Sequence, residues 1–351
     1  MRSYALLGSV AVLVVLGMGA AWWYGPQSVT PPALAPAATP EAKTEPSPHP
    51  VSLEALMAKD LNGHDFTVGR VLDDNAAYTR YYITYESGDL TISGIMNVPQ
   101  GSPPAGGFPL LILNHGHIDT DVYTNGRGLK REQDYLARRG FVVVHPDYRN
   151  HAQSDDDPGA EQNLRLGYAE DAINAIYAVR AAHLVYINAE RVGMLGHSMG
   201  GGVTQNVLVV EPGLVQAAVL YAPVSGNYRE NFERYTARAT SGAEQSSRLR
   251  LLTELYGTPQ DNPEFWSGVS AASDYDRITA PVHIHIGTAD ESVEPAWSYR
   301  IRDRLQTLGK TVTLYEYDGE PHEFAAAWPL FMERTAEFFT EQLKSETVSA
   351  R

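Results

Sequence analysis

The chain contains no cysteine. That absence removes disulfides, thiolate metal sites, a cysteine nucleophile and cysteine lipidation together. Basic residues are also scarce. Lys plus Arg number 27 against 42 Asp plus Glu, for a formal net charge of −15. Nucleic acid is excluded as an expected partner, because phosphate binding needs a basic footprint. No internal repeat is visible, and only one hydrophobic run is long enough to matter outside a core. What remains is a chain of 351 residues, 43% of them hydrophobic. That suffices for one large core or two modest ones.

The long run occupies residues 5–23, which are 19 uncharged residues. About 20 apolar residues span a bilayer core. Arg2 precedes the run, and Trp22, Trp23 and Tyr24 close it. A basic start and interfacial aromatics suit a retained anchor; small residues at 17–21 leave a cleaved signal peptide as the alternative. Either reading exports the rest of the chain. Residues 26–50 hold eight of the 22 prolines. Such a segment favours extended conformations and serves as a flexible spacer. Residues 1–25 (anchor or signal peptide) and 26–50 (linker) together carry two basic and two acidic residues, so the whole −15 belongs to residues 51–351.

That body alternates apolar runs with helical patterns. Residues 78–85 and 90–98, separated by Ser87-Gly88-Asp89, read as an antiparallel pair at a sheet edge. Continuous apolar runs follow at 110–113, 141–144, 192–195, 217–221, 282–286 and 312–317. Continuous runs suit strands buried on both faces. Helical spacing appears at 164–179, and an apolar helix is expected over 324–339. The fold class is therefore α/β, with a mostly parallel sheet, helices on both faces and antiparallel N-terminal strands. Ligands in such sheets sit beyond the carboxyl ends of the strands, so the residues just after each run carry the functional expectation.

One of those strand ends reads Gly196-His197-Ser198-Met199-Gly200. A serine hydroxyl is a weak nucleophile and must stand clear of the sheet beside a base. A tight strand-to-helix turn lifts it there, and glycines two residues either side give the turn room. The helix start also brings free amides and partial positive charge, so the Met199 amide is an oxyanion donor. Of the eleven histidines, His322 lies in a loop after the last strand, where a general base is delivered. His283 and His285 alternate within one strand and share a core-facing side. Asp290, in the loop after the preceding strand, is placed to fix the imidazole tautomer; its competing role is to cap the helix over 295–305, and Glu291 is the substitute acid. The order Ser198, Asp290, His322 is that expected of a nucleophile-elbow hydrolase. His115-Gly116-His117 follows another strand, and the His117 amide is the expected second oxyanion donor. A metal on His115 and His117 with Asp119 or Asp121 is the rival reading. No cofactor is expected.

These motifs resemble the catalytic domain of the prolyl oligopeptidase family, within the α/β-hydrolase superfamily, and also dienelactone-hydrolase-type esterases. The resemblance runs from about residue 81 to 343 through ISGIMNVP at 92–99, His115-Gly116, Asp147-Tyr148-Arg149, the serine elbow, Tyr256-Gly257-Thr258-Pro259, Gly287 to Val293, and YDGEPHEF at 317–324. It implies serine hydrolysis with Ser198, Asp290 and His322 as triad. Two departures bear on substrate. Residues 51–90 are too few for the β-propeller that gates the family's peptidases. His115 stands where some of those peptidases place an oxyanion-binding tyrosine. Both move the expectation from a peptide toward a carboxylic ester, with a short peptide kept as the alternative and an inactive binding scaffold as a third reading.

Residues 223–270 are far longer than an ordinary loop of about 4–6 residues. They are expected to form a helical insertion over the strand ends. Its aromatics either line the substrate pocket or pack the extra helices onto the body. Tyr228, Phe232 and Trp266, with His115 and Tyr148 from the strand ends, are the expected substrate contacts. Asp155-Asp156-Asp157 reads as a solvated loop.

Overall fold

The continuous apolar runs do form strands. The computed structural model describes residues 47–237 and 243–344, and among them nine strands build one sheet. They are β1 (His64–Asp74), β2 (Tyr78–Ser87), β3 (Leu90–Pro99), β4 (Phe108–Asn114), β5 (Val142–Pro146), β6 (Ile187–His197), β7 (Ala217–Tyr221), β8 (Val282–Gly287) and β9 (Val312–Tyr317), in spatial order β1-β2-β3-β5-β4-β6-β7-β8-β9. From β5 across to β9 all neighbours are parallel; β1, β2 and β3 pair antiparallel and join through β3 against β5.

The alternation of side chains divides the core in two. Leu110, Ile112, Val144, Met194 and Leu220 face one side, and Leu111, Leu113, Val143, Leu195 and Val219 face the other. The helices are α1 (Leu53–Met57), α2 (Lys130–Ala137), α3 (Gly167–Ala181), α4 (Met199–Val210), α5 (Tyr228–Phe232), α6 (Ala243–Tyr256), α7 (Pro263–Gly268), α8 (Pro295–Thr307) and α9 (Trp328–Gln342). The first side is covered by α3, α4 and α8, the second by α2 and α9. Covering both faces is what leaves strands such as β5 and β7 buried at every position. At Gly193 a Cβ would lie 2.6 Å from Leu111 and 2.8 Å from Phe339, so this glycine lets α9 seat on the sheet.

Four expectations need correction. The β2–β3 pair is not at the edge, because β1 lies outside it. That strand is mostly exposed, with only Phe66 and Val68 half-buried against the core, too short an apolar face to read; its irregular register breaks up the free edge. The opposite edge, β9, is only half buried, against the expectation for a two-faced strand. The helix expected from 164 begins at Gly167, because Leu164 and Arg165 take left-handed φ of 53° and 58°. The helix expected from 324 begins at Trp328.

The hydrophobic run at 5–23, and all but residues 47–50 of the proline-rich segment, lie outside the described residues. Among the described residues no helix is long and apolar enough to cross a membrane.

Candidate active site

The serine elbow is built by sterics. Ser198 sits between the last residue of β6 and the first of α4, with φ 57° and ψ −120°. This is a conformation an L-residue holds only under constraint. The constraint comes from its own backbone: its amide donates to Tyr221 O at 3.0 Å, and its carbonyl accepts from Gly201 and Val224 at 2.9 and 3.1 Å. A Cβ on Gly196 would lie 2.1 Å from Gly200 O, and one on Gly200 would lie 2.0 Å from Asn114 O. Both glycines are therefore obligatory. Met199 opens α4, so its amide has no partner within the helix and is free for a ligand.

The loops after β8 and β9 bring Asp290 and His322 together. His322 Nδ1 donates to Asp290 Oδ2 at 2.8 Å, with the two side chains only 13% and 3% exposed. The other carboxylate oxygen, Oδ1, accepts from the amides of Ser292 and Val293 at 2.9 and 2.8 Å. Asp290 thus orders its own loop with one oxygen and the histidine with the other. The residue that precedes α8 as its cap is Glu294, not Asp290. With Nδ1 carrying the proton, Nε2 of His322 keeps its lone pair, and His322 and Ser198 line the same cleft. No hydrogen bond joins them here; in such pairs that contact often tightens only when substrate binds.

Several supports went unread in the sequence. Glu320 is buried and accepts from Ala325 and Ala327 amides at 2.5 and 3.0 Å. Tyr221 OH accepts from Phe324 N at 2.6 Å. A Cβ on Gly287 would lie 2.1 Å from Glu320 O, so glycine there lets the histidine loop close onto β8. His197 packs its ring against His322, with centroids 4.6 Å apart, and its Nε2–H donates to His322 O at 3.3 Å. Burial first, and His322 second, push the His197 pKa down to about 3, so it packs as a neutral ring. The position of Glu320 two residues before His322 was the available signal; Tyr221 and Gly287 looked like ordinary strand residues.

The loop 115–117 passes directly over the serine: a Cβ on Gly116 would lie 3.1 Å from Ser198 Cβ. His117 lines the cleft; His115 does not. His115 is buried beneath it, stacked with Tyr123 and Tyr148 at 4.8 and 4.4 Å. Burial, reinforced by His151, lowers its pKa to about 4. Tyr148 is also fully buried. Asp147 accepts from Ser93, Tyr123, Asn125 and Gly126, and Arg149 pairs with Asp171 at 2.7 Å and Asp157 at 3.2 Å. The Asp147-Tyr148-Arg149 stretch therefore holds loops in place. The acidic run is not merely solvated either, since Asp155 accepts from Thr91 N. Among the described residues no cluster of three or more His, Asp or Glu is placed to hold a metal.

The cleft measures about 1440 Å³. Tyr228, Phe232 and Tyr235 of the insertion line it, whereas Trp266 lies behind, with its ring 4.6 Å from that of Phe232. Tyr256 and Phe265 stack on each other at 4.1 Å. Both expected uses of the insertion aromatics occur, divided between wall and packing. Of the five expected substrate contacts, Tyr228 and Phe232 reach the cleft; His115, Tyr148 and Trp266 are set back by their burial.

The sheet order, the elbow and the loops at its carboxyl end define an α/β-hydrolase, and the comparisons with known proteins make it a serine hydrolase. A family model described as the prolyl oligopeptidase family matches residues 128–346, and the chain belongs to that family. It is 26% identical over 246 residues to the uncharacterized peptidase YtmA of Bacillus subtilis, covering 70% of this chain and 86% of that one. It is 24% identical to the esterase EstD of Thermotoga maritima, over 69% of this chain and 62% of that one. Among solved structures, the acetyl xylan esterase from Paenibacillus sp. R4 superposes with a TM-score of 0.61 at 19% identity, over 83% of this chain and 92% of that one. The chain spans only about two fifths of the length of the solved peptidase chains it matches.

Proposed function

We propose that the protein hydrolyses carboxylic esters through an acyl-enzyme. Ser198 Oγ attacks the acyl carbonyl while His322 Nε2 takes its proton. The amides of Met199 and His117 hold the oxyanion, Asp290 stabilises the imidazolium, and the leaving group departs with the proton held by His322. Water, deprotonated by His322, then attacks the acyl carbon, the acyl–Oγ bond breaks, and His322 returns the proton to Ser198 Oγ as the acid leaves. The observation that carries this reading is the 2.8 Å His322–Asp290 contact, with Nε2 left free on the cleft shared with Ser198. The ester assignment is supported by the esterase relative and by the wall of Tyr228, Phe232 and Leu251 facing the cleft, which suits an acyl chain. Short peptides are the second reading, favoured by the peptidase relative. Rates on 4-nitrophenyl esters and aminoacyl 4-nitroanilides test the choice. The ester reading expects kcat/KM on an ester to exceed that on the anilides by more than the intrinsic difference in reactivity; the reverse order would favour peptide cleavage. Residues 1–25 are further proposed to export the body and to anchor it when retained. An extracytoplasmic reporter fused after residue 50 should then be active.

A further inference from the structure

The cleft carries a charged feature that the acyl-transfer steps do not use. Arg165 lines it and touches both residues whose amides are assigned to the oxyanion: its Nη1 lies 3.3 Å from His117 Nδ1 and 3.7 Å from Met199 Sδ. Its other edge is spent on Glu161, with Nε and Nη2 both 2.5 Å from Oε1. The second oxygen of Glu161 is 2.8 Å from Arg248 Nε of α6. Within this trio one carboxylate serves two guanidiniums, so the trio carries one positive charge. The other acids on the cleft are engaged elsewhere or exposed. Asp157 holds the Gly159 amide and Arg149, a guanidinium it shares with Glu170 and Asp171, and Asp119 and Asp156 are exposed, where solvent and salt weaken their reach. The Nη1 edge meets only a long imidazole contact and a thioether, which is a weak acceptor. A carboxylate would satisfy it far better.

The backbone beneath is also constrained. Leu164 and Arg165 are successive non-glycine residues at φ 53° and 58°. Arg165 N donates to Ala160 O at 2.8 Å, and Tyr228 OH to Leu164 O at 3.4 Å. Two left-handed L-residues in a row persist only where surrounding contacts enforce them, and such strain gathers at ligand sites. Here it presents Arg165 to the cleft beside Leu164.

We infer that Arg165, reinforced by Arg248, seats a carboxylate carried on the acyl half of the substrate. The inference rests on the acyl-enzyme reading above. The leaving group takes its proton from His322 and so occupies that side of the cleft. The carbonyl oxygen points to the Met199 and His117 amides. The acyl chain is the arm left to pass Arg165. The substrate class is then a monoester of a dicarboxylic acid or, in a peptide, an acidic residue whose own carbonyl is attacked.

Mono-4-nitrophenyl glutarate and 4-nitrophenyl valerate, nearly isosteric in the acyl chain, test this on the full-length chain. The wild type should favour the glutarate by on the order of tenfold in kcat/KM, as a charge-assisted pair warrants. The ratio should fall to about one in Arg165→Gln and at least about threefold in Arg248→Gln, which leaves Glu161 to neutralise Arg165. A wild-type ratio of one or below, or a ratio unmoved in both variants, would overturn the inference. Calorimetry on Ser198→Ala separates the two readings. Monomethyl glutarate should bind more tightly than its neutral amide isostere, methyl 4-carbamoylbutanoate, and the difference should vanish when Arg165→Gln is added. That binding preference in a wild type without turnover contradicts the serine reading and upholds the carboxylate seat. Turnover without the preference contradicts the seat alone.

Discussion

The floor of the cleft and its wall are built differently. On the floor, Asp290 holds two backbone amides as well as His322, Glu320 holds two more, and Ser198 is fixed through its own amide and carbonyl. The wall belongs to the described part of residues 223–270 and meets the body mostly through long side chains, each making one contact. They include Tyr256 OH to Gln162 O at 2.9 Å, Tyr235 OH to Ser292 O at 3.1 Å, Arg234 Nη2 to Glu291 O at 3.0 Å, and the ion pairs of Arg248 with Glu161 and Glu230 with Arg300. The difference follows from what each must do. Acyl transfer tolerates little misplacement of nucleophile and base, whereas a substrate wall discriminates by shape and charge and can be assembled from many residue types.

Substitutions can break this contrast. His322→Ala should lower kcat by at least about a thousandfold, because triad members act as a unit; steady-state rates near wild type would remove His322 from the base role. Asp290→Asn should cost up to about 10⁴ in kcat with the fold intact, since the amide would hold the wrong imidazole tautomer. Glu320→Gln leaves one amide of the histidine loop without a carboxylate partner. It should lower kcat by roughly tenfold with little change in KM, on the scale of one charge-assisted hydrogen bond.

Stability should also respond to acid. The folded-state pKa values of His197 and His115, about 3 and about 4, lie below the roughly 6.5 of an unfolded histidine. Below pH 6.5 the unfolded chain therefore binds more protons, and the stability these rings contribute is lost as pH falls toward 4. Urea midpoints measured between pH 7 and 4 should decline, less steeply in His197→Gln. The smallest effect belongs to the wall. Tyr256→Phe removes one partly buried hydrogen bond, worth about 1 kcal/mol, and should raise KM more than it lowers kcat. A larger loss of kcat would place the wall in the chemistry and blur the contrast.

The floor was legible because its residue types are dictated. Gly196 and Gly200 have no substitute where a Cβ would meet a carbonyl at 2.1 and 2.0 Å, and Ser198, Asp290 and His322 follow strands whose apolar runs mark where the sheet ends. The wall and the edges were not, because their residues carry no such signature. Phe232 on the cleft and Trp266 behind it are equally aromatic, and only packing distinguishes them. β1 packs only Phe66 and Val68 against the core, too short an alternation to betray it. His115 and Tyr148 sit at strand ends as active-site residues do, yet loop paths set by Asp147 and Arg149 turn them inward. Those paths depend on partners tens of residues away, such as Asp171 for Arg149 and Ser93 for Asp147.

The central claim is that Ser198 is the nucleophile. The direct measurement is reaction of the folded protein with a fluorophosphonate, followed by peptide mass spectrometry. One phosphonyl group on Ser198 in the wild type, and none in folded Ser198→Ala, is the predicted result. A folded wild type that stays unlabelled, or that carries the label elsewhere, would contradict it.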